Sequence, residues 1–432
     1  MKLTLFFVAI NMLVLHISAE TMHRIPLYYH NKRSSHGGHS KYVSAGAKEL
    51  RDGMLGGVVQ IGNPPQNFTL AFDTSTGFTW VRDIDCNTKN CKGRKAYDPK
   101  ESTTVDSTGH SFVLDYGKGI VDTTIYEDTF HFAGLTVKRM PFGGAYEMKK
   151  FNKGFDGFLG LGRNINLNSN ATVHYSKRSG DQIPTSGFIP NAYQQGNGLS
   201  SSQFGMYTTF ISSDGGSGFS DSGSVSSTTN PTSAGTHFTK RSHHEQPAGY
   251  LVIGGVDKSA IKGNVYYVDT KHSHHSDSGN WAVPVTAAKF KDNHSFKVSP
   301  KAKAIFSSST DVIGLPNAQA EEFRKRWYAE YDKSDNTFKV PCCLMNRLTS
   351  FAITFGKVEA VVPPSYWSES RKTTTCCEMC HTHIGKSDSD TDYVIGRAFT
   401  YAFYTQFDFE KNRVGLAMKK HQKNDGLKLI KH

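Results

Sequence analysis

Ala71-Phe72-Asp73-Thr74-Ser75-Thr76 is echoed far downstream by Ala304-Ile305-Phe306-Ser307-Ser308-Ser309-Thr310. In each copy an apolar run gives way to a run of hydroxyl side chains. A second echo follows in the same order, Leu159-Gly160 and then Ile395-Gly396, each closing an apolar segment. An internal repeat constrains a fold strongly, because both copies must satisfy the same local packing. The pattern predicts two similar lobes, each offering a strand, a polar loop and an apolar-apolar-Gly segment to one shared cleft.

Composition agrees with a β architecture. The 432 residues hold 12% aromatic side chains and 40 glycines but only 20% charged residues, a balance that favours short strands joined by turns. Gly57-Val58-Val59-Gln60-Ile61-Gly62, Asn63-Pro64-Pro65 and the run Phe68 to Phe72 read as a hairpin around a proline turn. One helix is predicted, over 317–331, with Ala318, Phe323 and Trp327 among charges. The net charge of +12 is spread along the chain. No basic stretch is interleaved with aromatics, so nucleic acid is not an expected partner. The charge reads as a solvated surface with some attraction to anionic or acidic partners.

The amino terminus predicts the compartment. Lys2 precedes the apolar run Leu3 to Leu15, and Ile17-Ser18-Ala19 supplies small residues for cleavage. Residues 1–19 therefore read as a secretory signal peptide, too short for a membrane span. The polar end of the chain argues against a lipid anchor. Residues 20–52, basic and rich in His, read as a prosegment with Lys32-Arg33 as a processing pair. The expected first lobe covers 53–262, interrupted by an exposed Ser/Gly/Thr-rich loop at 212–246. The second covers 263–420, and 421–432 is a polar tail.

In an oxidising compartment the seven cysteines read first as disulfides. Cys86 and Cys91 can close a small loop. Cys342, Cys343, Cys376, Cys377 and Cys380 form a second group, and the odd total leaves a thiol over. Asn67, Asn170 and Asn293 carry the glycosylation pattern. The run Cys376-Cys377-Glu378-Met379-Cys380-His381-Thr382-His383 superficially resembles a zinc cluster. His272-Ser273-His274-His275 reads as a solvated loop. Neither is taken as a metal site, and no cofactor is expected.

The ordered set of motifs resembles the pepsin-like aspartic peptidases over about 54–418. Asp73-Thr74-Ser75-Thr76-Gly77, running on to Trp80-Val81, resembles the family's first Asp-Thr-Gly-Ser motif. Cys86 and Cys91 match its short disulfide loop, and Tyr116-Gly117-Lys118-Gly119 its flap hairpin. Phe155-Asp156-Gly157-Phe158-Leu159-Gly160-Leu161-Gly162, Pro363-Pro364-Ser365-Tyr366 and Asn412-Arg413-Val414-Gly415-Leu416-Ala417 complete it. The resemblance implies an all-β, bilobal fold and a monomer that takes a peptide or protein in its cleft. It implies that Tyr116, Gly117, Trp80, Thr76 and Thr310 line the substrate site, with the Thr76 hydroxyl bonded to Asp73. It also implies a bridge from Cys342 or Cys343 to Cys376 or Cys377.

The family mechanism needs two carboxylates that share one proton, one ionised to activate water and the other protonated to act as acid. Asp73 fills the first position. Ser307 stands at the second, and a serine hydroxyl cannot share that proton. Ser75 and Ser309 replace loop glycines, and Arg397 stands where the family commonly has an aspartate. Asp311 could take the lost role only if its loop slid in register. Three readings follow: a peptide-binding homologue impaired in catalysis, an acid endopeptidase relying on Asp73, and a structural or inhibitor-type protein on the same fold.

Overall fold

The computed structural model describes residues 23–29, 54–116, 119–151, 154–170, 172–173, 182–208, 249–270, 279–291, 294–369, 376–420, 422 and 426–432. The leader, most of the expected prosegment with its Lys32-Arg33 pair, the 212–246 loop, Gly117, Lys118, His272 to His275 and Asn293 lie outside them. So does the side chain of Asn170.

Strands dominate, and the all-β two-lobed architecture is the one found. The hairpin forms from Leu55–Ile61 and Gln66–Asp73 in antiparallel register, Gly57 opposite Leu70 and Ile61 opposite Gln66. Alternation puts Phe68, Leu70 and Phe72 into the core, each no more than 2% exposed. The repeat in sequence is a repeat in structure. Gln66–Asp73 pairs in parallel with Gly157–Gly160, placing Asp73 opposite Gly160. Lys303–Phe306 pairs in parallel with Tyr393–Ile395, placing Phe306 opposite Ile395. Glycine follows in both copies because the backbone is crowded there. A Cβ at Gly160 would lie 2.6 Å from the Phe78 carbonyl carbon, and one at Gly396 2.4 Å from Val312 O.

The two halves are stitched together by one large sheet. Gln203–Thr208 of the first half pairs with Phe403–Asp408 of the second, which pairs with Arg413–Lys419 and then Ile261–Asp269. The expected boundary at 262 therefore falls inside a strand. Gln203–Thr208 also pairs with Gly249–Ile253, whose other edge takes His23–Tyr29. That short piece of the expected prosegment is thus built into the sheet, bonded also to Leu55–Ile61.

Two further expectations are corrected. The tail is not merely polar: Leu427 is buried, and Lys428–Lys431 pairs with Val358–Val362. The helix stops at Arg326, short of residue 331, because Tyr328 takes a left-handed conformation (φ 50°) that ends it. Its buried positions are Gln319, Ala320 and Phe323, and Ala318 is exposed.

The disulfides are Cys86–Cys91, Cys342–Cys380 and Cys343–Cys376, with Cys377 an exposed thiol. Cys377 is thus not a bridge partner, and Cys380 is. Strand pairing decides this: Val340 lies opposite Cys380 and Pro341 opposite Met379, which sets Cys380 beside Cys342. Alkylation of the folded, non-reduced protein is expected to modify Cys377 among these seven cysteines and no other. Label on Cys380 would contradict the pairing.

Candidate functional site

The two repeated loops meet through a reciprocal set of hydrogen bonds. The Thr74 hydroxyl donates to Phe306 O (2.9 Å), and Ser308 N–H donates to Thr74 Oγ1 (3.0 Å). In return the Ser308 hydroxyl donates to Phe72 O (2.6 Å), and Thr74 N–H donates to Ser308 Oγ (3.0 Å). All four are buried, where such bonds gain strength from the low dielectric. Ser308 therefore performs in the second loop what Thr74 performs in the first. The loops are locked face to face, with Asp73 and Ser307 at equivalent places immediately before the two locking residues.

Asp73 is wholly buried. Its Oδ1 accepts from Ser75 N–H (2.9 Å) and from the Ser75 hydroxyl (2.5 Å). Its Oδ2 is buried with no hydrogen-bond partner. Burial pushes the carboxyl up to about 6; the bonds from Ser75, and a smaller contribution from Ser309, oppose that rise. The expected Thr76–Asp73 bond is not present; Thr76 Oγ1 accepts from Phe78 N–H (3.4 Å). Ser75 holds the carboxylate instead, through a turn in which Asp accepts from the residue two positions on.

That turn is a local habit of this chain. Asp257 and Ser259, and again Asp332 and Ser334, repeat both bonds at 2.9 and 2.5 Å. Environment separates the copies. Lys339 donates to Asp332 at 2.7 Å and holds its carboxyl well below the usual range, whereas burial drives Asp73 the other way.

Opposite, Ser307 is 7% exposed, and its Oγ lies 2.8 Å from Ser309 Oγ. Ser307 N–H donates to Ile395 O (3.0 Å), whereas in the first half Asp73 O accepts from Leu161 N–H (2.7 Å). Asp311 is ion-paired with the buried Arg397 through Oδ1 and Nη2. The backbone ties the same two segments: Arg397 N–H donates to Thr310 O and Ala398 N–H to Asp311 O. A register slide that brought Asp311 to the Ser307 position would break all three contacts. Thr310, half-buried, accepts from Val312 N–H (3.3 Å), so its hydroxyl supports the loop.

Tyr116 is half-buried at the end of the hairpin strand Asp106–Asp115, and its N–H donates to Gly119 O (2.8 Å). Trp80 Nε1–H donates to the Tyr116 hydroxyl (2.9 Å), and Phe151 and Phe158 pack on both rings. Burial, then the nearby Asp73 charge, push the Tyr116 hydroxyl well above its ordinary value. Trp80 itself is fully buried. Its one polar atom is engaged by the Tyr116 hydroxyl.

The sequence reading missed the Ser75, Ser309 and Arg397–Asp311 partnerships. The Asp-x-Ser spacing could have revealed the first. The ion pair joins residues distant in sequence and had no local signal. Asn67 is exposed on its strand, where its Oδ1 accepts from Gln60.

Two repeated strand-loop units locked around a buried aspartate, under an aromatic hairpin, define a protein of the aspartic-protease class. The eukaryotic aspartyl protease family model matches residues 55–220 and 236–419, and the chain belongs to that family. Human gastricsin is 24% identical over 364 residues, covering 84% of this chain and 80% of the relative. Pepsin B of the dog is 23% identical with the same coverage. Cathepsin E of the guinea pig is 26% identical over 369 residues, again 84% and 80%. Among the described residues no helix is long and apolar enough to cross a membrane.

Proposed function

We propose that this chain is a secreted pepsin-family protein that holds a peptide or an extended protein segment in its cleft and has lost efficient peptide hydrolysis. One observation carries the reading. Asp73 Oδ2 is a buried carboxylate oxygen with no hydrogen-bond partner, and the opposite position offers Ser307, whose hydroxyl is engaged by Ser309. A paired mechanism needs a proton shared between two carboxyls at that place. A serine hydroxyl supplies no acid of matching strength.

The rest of the machinery favours retention of binding. The interlocked loops, the parallel strand pairs and the Tyr116–Trp80 bond form a complete frame. Secretion rests on the leader and agrees with the three disulfides. The test is calorimetric titration with a statine-type peptide inhibitor at pH 4 to 5. Saturable binding of one equivalent is expected. Absence of binding would favour a protein that has kept only the fold.

A further inference from the structure

We propose that Glu369, His381 and His383 form a zinc-binding site on the second half of the molecule. One donor atom from each of the three lies within 4.8 Å of the other two. None of them belongs to the Asp73–Ser307 constellation.

The placement follows from strand geometry. His381 ends the strand Met379–His381 and His383 is two residues on, so in extended backbone both side chains leave the same face. Thr382 between them points inward, fully buried, with its hydroxyl donating to Phe338 O (2.6 Å). The segment 367–369 runs antiparallel alongside. Glu369 N–H donates to His381 O (3.1 Å) and His383 N–H donates to Trp367 O (2.7 Å). These bonds set the Glu369 carboxylate over the two imidazoles. Cys380, inside the same strand, is bridged to Cys342. The backbone that carries the donors is thus fixed before any ion arrives.

The second, independent observation is an orphaned nitrogen. His381 Nδ1 is buried and has no hydrogen-bond partner, and it lies 4.0 Å from Glu369 Oε1. The far nitrogen of that ring, Nε2, is 3.0 Å from Thr337 Oγ1 and 3.8 Å from Asp335 Oδ2. A metal at Nδ1 places the ring proton on Nε2, where the Thr337 oxygen accepts it. That is the outer-shell arrangement by which ligating histidines are oriented. Two imidazoles and one carboxylate suit Zn²⁺ in a tetrahedral site that keeps one open position. Bonds of about 2.1 Å ask donors to lie about 3.4 Å apart, which side-chain rotation of the partly exposed Glu369 supplies. The cysteines of the zinc-like run go to disulfides and a free thiol; its histidines do not, and they carry the site.

The test titrates Zn²⁺ into the full-length, disulfide-bonded protein at pH 7, with His272, His274 and His275 replaced by Ala to silence that separate run. One bound equivalent is expected, with imidazole scattering at the zinc absorption edge. His383→Ala and Glu369→Gln should each weaken that equivalent by more than tenfold, and Thr337→Val by about tenfold. Glu369→Gln changes a partly exposed group, so it decides the matter should His383→Ala fail to fold. The proposal is overturned if no Zn²⁺ binds. It is equally overturned if Glu369→Gln, with its metal-free melting midpoint unchanged, binds as tightly as the parent.

Discussion

Asp73→Asn is expected to flatten the acid side of the stability profile, so that the variant gains about 3 kcal/mol on the parent between pH 3 and pH 7. The folded protein holds the Asp73 proton up to about pH 6, whereas the unfolded chain releases it near 3.8. Below 3.8 both states are protonated and the variant has no advantage from this group. Between 3.8 and about 6 only the folded state keeps its proton. The stability this group contributes is therefore lost as pH rises through that window, and the loss is complete above it. Asparagine keeps an oxygen to accept both Ser75 bonds and carries no charge to desolvate. Urea unfolding of both proteins at several pH values measures the difference, in which any pH-independent cost of the amide cancels. A difference that does not grow with pH would contradict the rise that burial gives the Asp73 carboxyl. Burial also raises Asp83 and Asp156, so the parent has other groups with the same slope; subtracting the variant's profile removes them.

The second expectation concerns chemistry. Ser307→Asp, combined with Ser75→Gly and Ser309→Gly, should raise kcat/KM for acid cleavage of a denatured protein by about 10²–10⁴ over wild type. The first change supplies the missing proton partner. The glycines release the two hydroxyls that now engage Asp73 Oδ1 and Ser307 Oγ. Asp73→Ala in that background should return the rate to the wild-type level, since the two carboxyls act as a unit. Assays from pH 3 to 6 measure this. An unchanged rate in a folded triple variant would mean that the Arg397–Asp311 pair, or the loop geometry, also blocks hydrolysis.

Much of this was legible in the sequence because it is local. The strand and hydroxyl-loop repeat, the proline hairpin and the Cys86–Cys91 loop are each carried by short stretches of chain, whereas the close approaches at Gly160 and Gly396 are to the distant Phe78 and Val312. What sequence did not disclose is set by distant pairing. Cys342 could not be assigned to Cys380 without knowing that Thr337–Pro341 pairs with Met379–His381. The strand in the C-terminal tail exists because Val358–Val362 offers it an edge. A boundary at 262 looked natural only because the strands that join the halves come from opposite ends of the molecule. At the site the frame was readable and the hydrogen-bond partners were not. Thr76 matched the motif, yet the closer Ser75 captures the carboxylate, and Trp80 matched it too, with a bond to Tyr116 that the motif did not announce.

The decisive measurement is cleavage of an acid-denatured protein by the wild-type chain at pH 3 to 6, against Asp73→Ala as the blank. Loss of the second carboxylate predicts that the two rates coincide and that a statine-type inhibitor binds without changing either. A wild-type rate well above the blank, suppressed by that inhibitor, would show that Asp73 alone sustains peptidase chemistry and would contradict the account.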